Sequence, residues 1–391
     1  MVKAITTTSA KASKPKKATS LSAEKTKRPS PKGGGSKTPA KKSTPIKRKM
    51  LALSMFNNKG GVGKTTLTCN LASLIATKYR KKVLVVDCDP QCNSTQLIMG
   101  ENYATSLYWE KGDANGVTTV KDILQKIEDG DSDINENICP VPASGNRFKV
   151  DLIPGHPSLS IVEDRLGAAW HSLKGGDLGG IRQTNWSTAL CNVLKDRYDY
   201  IFFDLGPSLG ALNRSILIGC DRFVTPMGTD IFSILGIRNI GEWLSSWTDL
   251  YKNALELCEK STPGRIASYP ITVDLAIKKG FSGYTLQQYI TKSKKGVRRP
   301  TKAYEEIIDN VPAEIENSLG EFWSSSNDFT AAKLGDIPHL YSLIPLAQTV
   351  SAPITSLKSL DGLVGSQFQQ RDEYASIITS LAENLLSNLK K

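Results

Sequence analysis

The stretch 51–66, LALSMFNNKGGVGKTT, limits what this chain can fold into more than any other. An apolar run of strand formers ends at Phe56, a glycine-rich turn carrying two lysines follows, and residues 67–76 show apolar positions at helical spacing. Strand, glycine loop and helix together make a cradle for phosphate. Gly60, Gly61 and Gly63 let the backbone curl so that its N–H groups face inward, and the helix N-terminus adds the positive end of its dipole. Lys64 then reaches the β and γ phosphates of a bound triphosphate, while the Thr65 hydroxyl is placed to ligate Mg²⁺. The expected nucleotide-binding residues are Asn58, Lys59, Gly60, Gly61, Val62, Gly63, Lys64, Thr65 and Thr66.

The loop departs from the usual G-x-x-x-x-G-K-[ST] pattern at its start. Asn58 holds the first glycine position and an extra lysine, Lys59, follows it. Asparagine tolerates left-handed backbone better than most residues, so the turn survives the exchange.

Two further segments supply carboxylates. Residues 81–86, KKVLVV, read as a short buried strand of the parallel type, ending at Asp87 and Asp89. Acids at the carboxyl end of a central strand lie in the crevice where open α/β sheets bind ligands. In YDYIFFDLGPSLG, an apolar run leads to Asp204, where a phosphate-loop enzyme places the second acid of its metal site. Thr65 and Asp204 are therefore candidate metal-site residues, and either Asp87 or Asp89 can hold the hydration shell of Mg²⁺ or orient water.

KGGVGKTT followed by CNLA, then VLVVDCDPQCNST and LIPGHPSLSIVEDRL, resembles the deviant phosphate loop and following segments of the ParA and MinD family of ATPases. The resemblance implies that Lys59 crosses a nucleotide-sandwich homodimer to touch the partner subunit's ATP. It implies that Asp89 activates water and Asp87 supports the metal shell, so Lys59, Lys64 and Asp89 are the catalytic candidates and ATP with Mg²⁺ the ligands. Gly206 stands where the family usually has the first proline of a proline-proline-serine turn, which leaves that turn more flexible than the family pattern. The fold implied is a three-layer α/β phosphate-loop NTPase with a mostly parallel central sheet.

The net charge of +12 is not spread evenly over the 391 residues. Residues 1–49 hold 15 Lys or Arg against one acid, Glu24; the rest of the chain carries 35 basic and 37 acidic residues. With almost no branched apolar or aromatic residue, residues 1–49 cannot bury enough surface to fold and are expected to form a disordered basic N-terminal tail before an ATPase domain at 50–391. Such a polycation binds phosphate backbones without sequence preference. A solubilising linker, a targeting signal at 45–49 and translation starting at Met50 are the other readings of this stretch. On the folded part the basic run is 291–302, with Lys292, Lys294, Lys295, Arg298, Arg299 and Lys302 as candidate DNA contacts.

No apolar run of about 18 residues exists, and no apolar segment follows the N-terminal charges, so neither a membrane span nor a signal peptide is expected. The seven cysteines form no C-x-x-C pair and read as reduced, mostly buried thiols. Residues 375–390 have an apolar stripe without the basic face a membrane-surface helix needs, so core packing is expected there. The resemblance, taken with these features, implies a cytoplasmic, nucleoid-associated partition ATPase. It would dimerise on Mg·ATP, bind DNA non-specifically and hydrolyse ATP slowly under stimulation by a ParB-like partner, moving plasmid or chromosome cargo. The competing readings are a nucleotide-switched DNA-binding regulatory or defence protein with negligible turnover, and a membrane-associated MinD-like positioning ATPase.

Overall fold

The computed structural model describes residues 50–109, 116–287, 291–294, 297–300, 302–323 and 325–390; side chains at 291–308 are not described. The expected tail at 1–49 and Lys295 lie outside these residues, and for Lys292, Lys294, Arg298, Arg299 and Lys302 only the backbone is described.

In chain order the first half comprises β1 (Leu51–Met55), α1 (Lys64–Lys78), β2 (Val83–Asp87), α2 (Asn93–Met99), α3 (Glu101–Trp109), α4 (Val120–Glu128), β3 (Asp151–Ile153), α5 (Leu159–Leu173), α6 (Leu178–Thr184) and α7 (Trp186–Leu194). The second half comprises β4 (Tyr200–Asp204), α8 (Ala211–Gly219), β5 (Arg222–Gly228), α9 (Ile231–Ser261), β6 (Phe281–Gln287), β7 (Thr291–Lys294), β8 (Val297–Pro300), α10 (Lys302–Leu319), β9 (Lys333–Ile337), α11 (Leu343–Thr349) and α12 (Gln367–Asn388). Seven strands form one sheet in the order β3-β2-β4-β1-β5-β6-β9, with every pairing parallel; β7 and β8 make a separate antiparallel ribbon.

LALSM, VLVVD and YIFFD are nearly continuous apolar runs because their strands are covered on both faces. Adjacent residues of β4 show why. Phe202 packs into the layer built with α1, α11 and α12, while Phe203 packs into the layer built with α5, α7, α8 and α9. Truncating either fully buried ring to alanine would cost about 3–5 kcal/mol, the usual range for a core phenylalanine.

The strands at the sheet centre fall where sequence patterning places them, and α1, α4, α5 and α9 overlap the helices the sequence predicts at 67–76, 120–127, 158–169 and 234–250, α9 running further at both ends. Three further expectations change: a single helix in an irregular excursion at 101–146, a strand within 266–275 and, from the resemblance, the family's final strand and adenine-side loop at 343–354. The excursion at 101–146 contains a second helix, α3, beside α4. Residues 266–275 make a short 3-10 turn at Ile266–Ser268 rather than a strand, and the next strand is β6. The segment 343–354 folds as α11 and a 3-10 turn, leaving the last strand of the sheet to β9. The last helix, α12, buries Tyr374, Ile378, Leu381, Ala382 and Leu385 in the core, as its apolar stripe requires. Among the described residues no helix is long and apolar enough to cross a membrane. All seven cysteines are free, and only Cys139 is exposed.

Candidate nucleotide-binding site

Parallel register brings the site together. Met55 pairs with Asp204, and Asp204 pairs with Asp87, so the loop leaving β1 and both carboxylates stand at one end of three adjacent strands. The loop is a curled backbone: Gly61 has φ +74° and Gly63 φ +78°, a region glycine enters without the Cβ clash of other residues. A Cβ on Gly60 or Gly61 would meet nothing within 4 Å, whereas one on Gly63 would stand 1.9 Å from the Gln287 Oε1. The cradle is thus open on its first turn and pinned by β6 at its last. Asn58 Oδ1, at the substituted position, is buried with no hydrogen-bond partner among the described residues.

The two lysines are held differently. Lys64 is buried and its Nζ donates to the Lys59 carbonyl at 2.9 Å. Desolvation lowers its pKa from the ordinary lysine value, against the pull of the Asp204 and Asp89 carboxylates. Lys59 Nζ instead forms an ion pair with Asp230, and donates to Ser233 Oγ at 3.2 Å. Asp230 is the N-cap of α9, accepting from the backbone N–H groups of Phe232 and Ser233 at 3.1 and 3.2 Å. Ile231, Phe232 and Leu235, beside it on the first turns of that helix, are exposed, Phe232 to 72%.

The carboxylates are deeply set. Asp204 accepts from Ser94 Oγ at 2.6 Å and from the Thr68 hydroxyl at 3.4 Å. Asp87 Oδ2 accepts both the Thr95 hydroxyl at 2.6 Å and the Thr95 backbone N–H at 2.8 Å. Burial raises the pKa of both acids, and the Asp204 charge raises Asp87 further. Asp89 lies on the turn after β2; its Oδ1 accepts from the Gln91 N–H at 3.0 Å, and Gly206 faces the same carboxylate.

The residues expected from sequence at this site therefore converge on one end of the sheet. Ser94, Thr95, Asp230, Ser233 and Gln287 were not anticipated from the motifs. Ser94 and Thr95 sit inside the quoted DPQCNST run; Thr95, eight residues beyond Asp87, bonds the acid of its own segment, whereas Ser94 bonds Asp204 from a distant strand and carried no local signal. Asp230 and Gln287 come from distant segments that only the sheet order brings to the loop.

The oxygen-only donor set of Thr65, Asp87 and Asp204 suits a hard cation. Among the described residues no group of three or more His, Cys, Asp or Glu could form a metal cage. Mg²⁺ takes one or two protein ligands and completes its shell with water and substrate phosphates.

The AAA domain family matches residues 50–257. An uncharacterised protein of Methanocaldococcus jannaschii is 34% identical over 190 residues, which cover 48% of this chain and 63% of that protein. The virulence plasmid ParA family protein of Chlamydia psittaci is 26% identical over 287 residues, covering 69% of this chain and 96% of the relative. A solved structure from Corynebacterium diphtheriae superposes with a TM-score of 0.67 at 33% identity, covering 87% of this chain and 99% of that one. With the phosphate loop, the strand-end acids and these similarities in agreement, the chain belongs to the ParA-type P-loop ATPases.

Proposed function

We propose that this protein is a partition-type ATPase that closes into a homodimer around Mg·ATP, binds DNA without sequence preference as a dimer, and is released by slow hydrolysis stimulated by a ParB-like partner. The observation that carries the reading is Lys59. It stands at the mouth of the phosphate loop, tethered to the N-cap of a helix whose first turns expose Ile231 and Phe232. Exposed apolar side chains around an active-site lysine are what a second copy of the chain would cover.

Within one subunit, the Lys64 ammonium and inward-facing loop N–H groups hold the β and γ phosphates. Thr65 and Asp204 hold Mg²⁺, which when bound neutralises charge spread over those phosphates. Asp89 orients the attacking water and takes its proton, and the bond between the γ phosphorus and the bridging oxygen breaks with its electron pair passing to ADP. Thr95 keeps Asp87, and through it the turn bearing Asp89, in place.

Residues 1–49 act as a polycationic tail and 50–391 as the ATPase domain; Lys292, Lys294, Lys295, Arg298, Arg299 and Lys302 add phosphate contacts on the β7–β8 ribbon and its flanks. The cellular setting of such a cycle is the cytoplasm, at the nucleoid.

The deciding measurement is DNA binding as a function of salt, with ATP, with ADP and without nucleotide, on the full chain and on a version starting at Met50. Binding that needs ATP and persists without the tail supports the cycle. Nucleotide-independent binding that disappears with the tail means that the ATPase acts on something other than DNA.

A further inference from the structure

The end of the sheet opposite the phosphate loop carries a second charged surface. β1, β2 and β4 begin side by side, Leu51 against Tyr200 and Val83 against Tyr200, whereas Met55, Asp87 and Asp204 mark their other ends. At about 3.3 Å per residue, five-residue strands separate the two ends by roughly 13 Å. Two adjoining grooves run along the starting edge and share Lys81. One, of about 710 Å³, begins at Leu51; the other, of about 580 Å³, is lined by Lys82, Lys149 and Arg197.

The charges there are unequally committed. Asp151 accepts from the Ala143 N–H and the Tyr198 hydroxyl, each at 2.7 Å, and Asp199 accepts from the Lys82 N–H at 2.9 Å. Both acids are spent on holding the fold. Arg80, Lys81, Lys82, Lys149 and Arg197 are exposed, and none of them joins an ion pair among the described residues. Asp196 is the exposed acid on the second groove's rim, and Glu383, which pairs with Lys78 at 3.2 Å, is the exposed acid on the first.

Arg80 and Lys149 adopt left-handed backbone, φ 52° and 59°, where glycine or asparagine would sit with less strain. Lys149 lies between buried Phe148 and Val150, so nothing in the packing requires a long cation at that position. The polycationic stretch 1–49 joins the fold at Met50, immediately before Leu51, and is thereby covalently tied to the same edge.

We propose that this starting edge is a docking surface for the phosphate backbone of duplex DNA, with Lys81, Lys82 and Lys149 as its principal contacts and Arg197 beside them. The inference rests on the DNA-binding part of the proposed function and adds a second contact surface to the one proposed on the β7–β8 ribbon. DNA is favoured over an acidic peptide because the exposed cations come from three separate segments spread along an open edge. Such contacts position the protein without reading sequence. Being remote from the nucleotide, the surface does not compete with ATP; dimerisation strengthens binding by presenting two such edges on one particle.

The test is fluorescence anisotropy with a random-sequence 30-base-pair duplex over a salt series, on full-length protein. Three proteins are compared: wild type, the triple variant Lys81→Glu, Lys82→Glu, Lys149→Glu, and a control with the same charge change at exposed Lys126, Lys252 and Lys260. With about 0.9 counterions released per phosphate contact, the triple variant loses roughly 2–3 from the slope of log K against log salt, while the control stays near wild type and ATP turnover is unchanged in both. The milder triple variant with glutamine at the same three positions shows a smaller loss of slope and guards against misfolding of the first. Wild-type protein that binds no DNA at any salt overturns the DNA reading and this surface together. Wild-type binding that all variants retain with an unchanged slope overturns this surface alone.

Discussion

The indole N–H of Trp243 donates to the backbone carbonyl of Leu209 at 3.0 Å, while the same ring stacks on Phe56 with centroids 5.3 Å apart. One side chain of α9 thus touches both the strand end that opens into the phosphate loop and the segment that follows Asp204. Trp243 also meets Trp247 at 5.7 Å, and Trp247 meets Trp170 at 5.8 Å, which extends the aromatic contact towards α5. Any movement of the phosphate loop against the segment after Asp204 changes the environment of this ring.

Replacing Trp243 with phenylalanine keeps an aromatic ring against Phe56 but removes the donor to Leu209. The expected cost is about 1 kcal/mol of stability, that of an ordinary hydrogen bond, measured by denaturant unfolding. The change in tryptophan emission on adding ATP should shrink markedly; an undiminished change would show that Trp243 does not report on the site.

Asp230 offers a way to free Lys59. Burial would raise the Asp230 carboxyl, but the Lys59 and Ser233 hydrogen bonds outweigh it and hold the group below its usual range. Asp230→Asn keeps a capping oxygen for α9 and removes the charge that holds the lysine, so stability should fall by only a few tenths to about 1 kcal/mol. ATP-dependent dimers should then form at several-fold lower protein concentration. Sedimentation velocity with ATP decides this, and an unchanged dimerisation constant means that the ion pair does not restrain Lys59.

Much of this was legible in the sequence, for a physical reason. Buried parallel strands must be apolar throughout, and phosphate loops must be glycine-rich, so β1, β2, β4 and the loop at Gly60, Gly61 and Gly63 announce themselves locally. Asp87, Asp89 and Asp204 were legible because strand ends in this fold converge on one crevice. The contacts from Asp230 to Lys59 and from Gln287 to Gly63 join residues more than 150 positions apart, and no local pattern encodes them. The sequence of 266–275 suggested a strand and the family resemblance placed one at 343–354, yet tertiary packing drew them into turns and a helix.

Gly206, where the family usually has proline, has a contact that explains its size. A Cβ there would stand 3.2 Å from Asp89 Oδ1, tighter than ordinary van der Waals contact. Gly206→Ala should therefore shift Asp89 by a few tenths of an ångström and lower kcat several-fold with little change in nucleotide affinity, since a misplaced group costs rate before binding. Turnover at the wild-type rate would rule out Asp89 as the group that orients water.

Arg147 grips Asp361 with two hydrogen bonds, 2.7 and 2.9 Å, clamping the segment before β3 to the segment before α12. The pairing with Arg147 holds the Asp361 carboxyl down at about 2. Because the folded-state pKa lies below the unfolded value of about 3.9, the stabilisation is complete above the unfolded value and disappears as pH falls through the folded one. Arg147→Ala should accordingly be less stable than wild type by a constant amount above about pH 5, with the gap closing towards pH 2. A gap of the same size at every pH would show that lost packing, not the ion pair, is responsible.

Thr95 is the hinge on which the deepest acid depends. Its hydroxyl donates to Asp87 at 2.6 Å and accepts the Gly155 N–H at 3.0 Å, so one oxygen satisfies a buried carboxylate and a buried amide at once. Thr95→Val preserves the shape and leaves both groups short of a partner, while the Thr95 backbone N–H still serves Asp87 at 2.8 Å. Removing one partner of a buried charged group costs about 2–3 kcal/mol, and the orphaned amide adds to that. Thr95→Ser restores the oxygen at the expense of one methyl and should recover most of the loss. Denaturant titration of the three proteins at neutral pH separates the terms: a serine variant no better than valine assigns the loss to packing, and a valine variant as stable as wild type means that neither Asp87 nor the Gly155 amide depends on the hydroxyl.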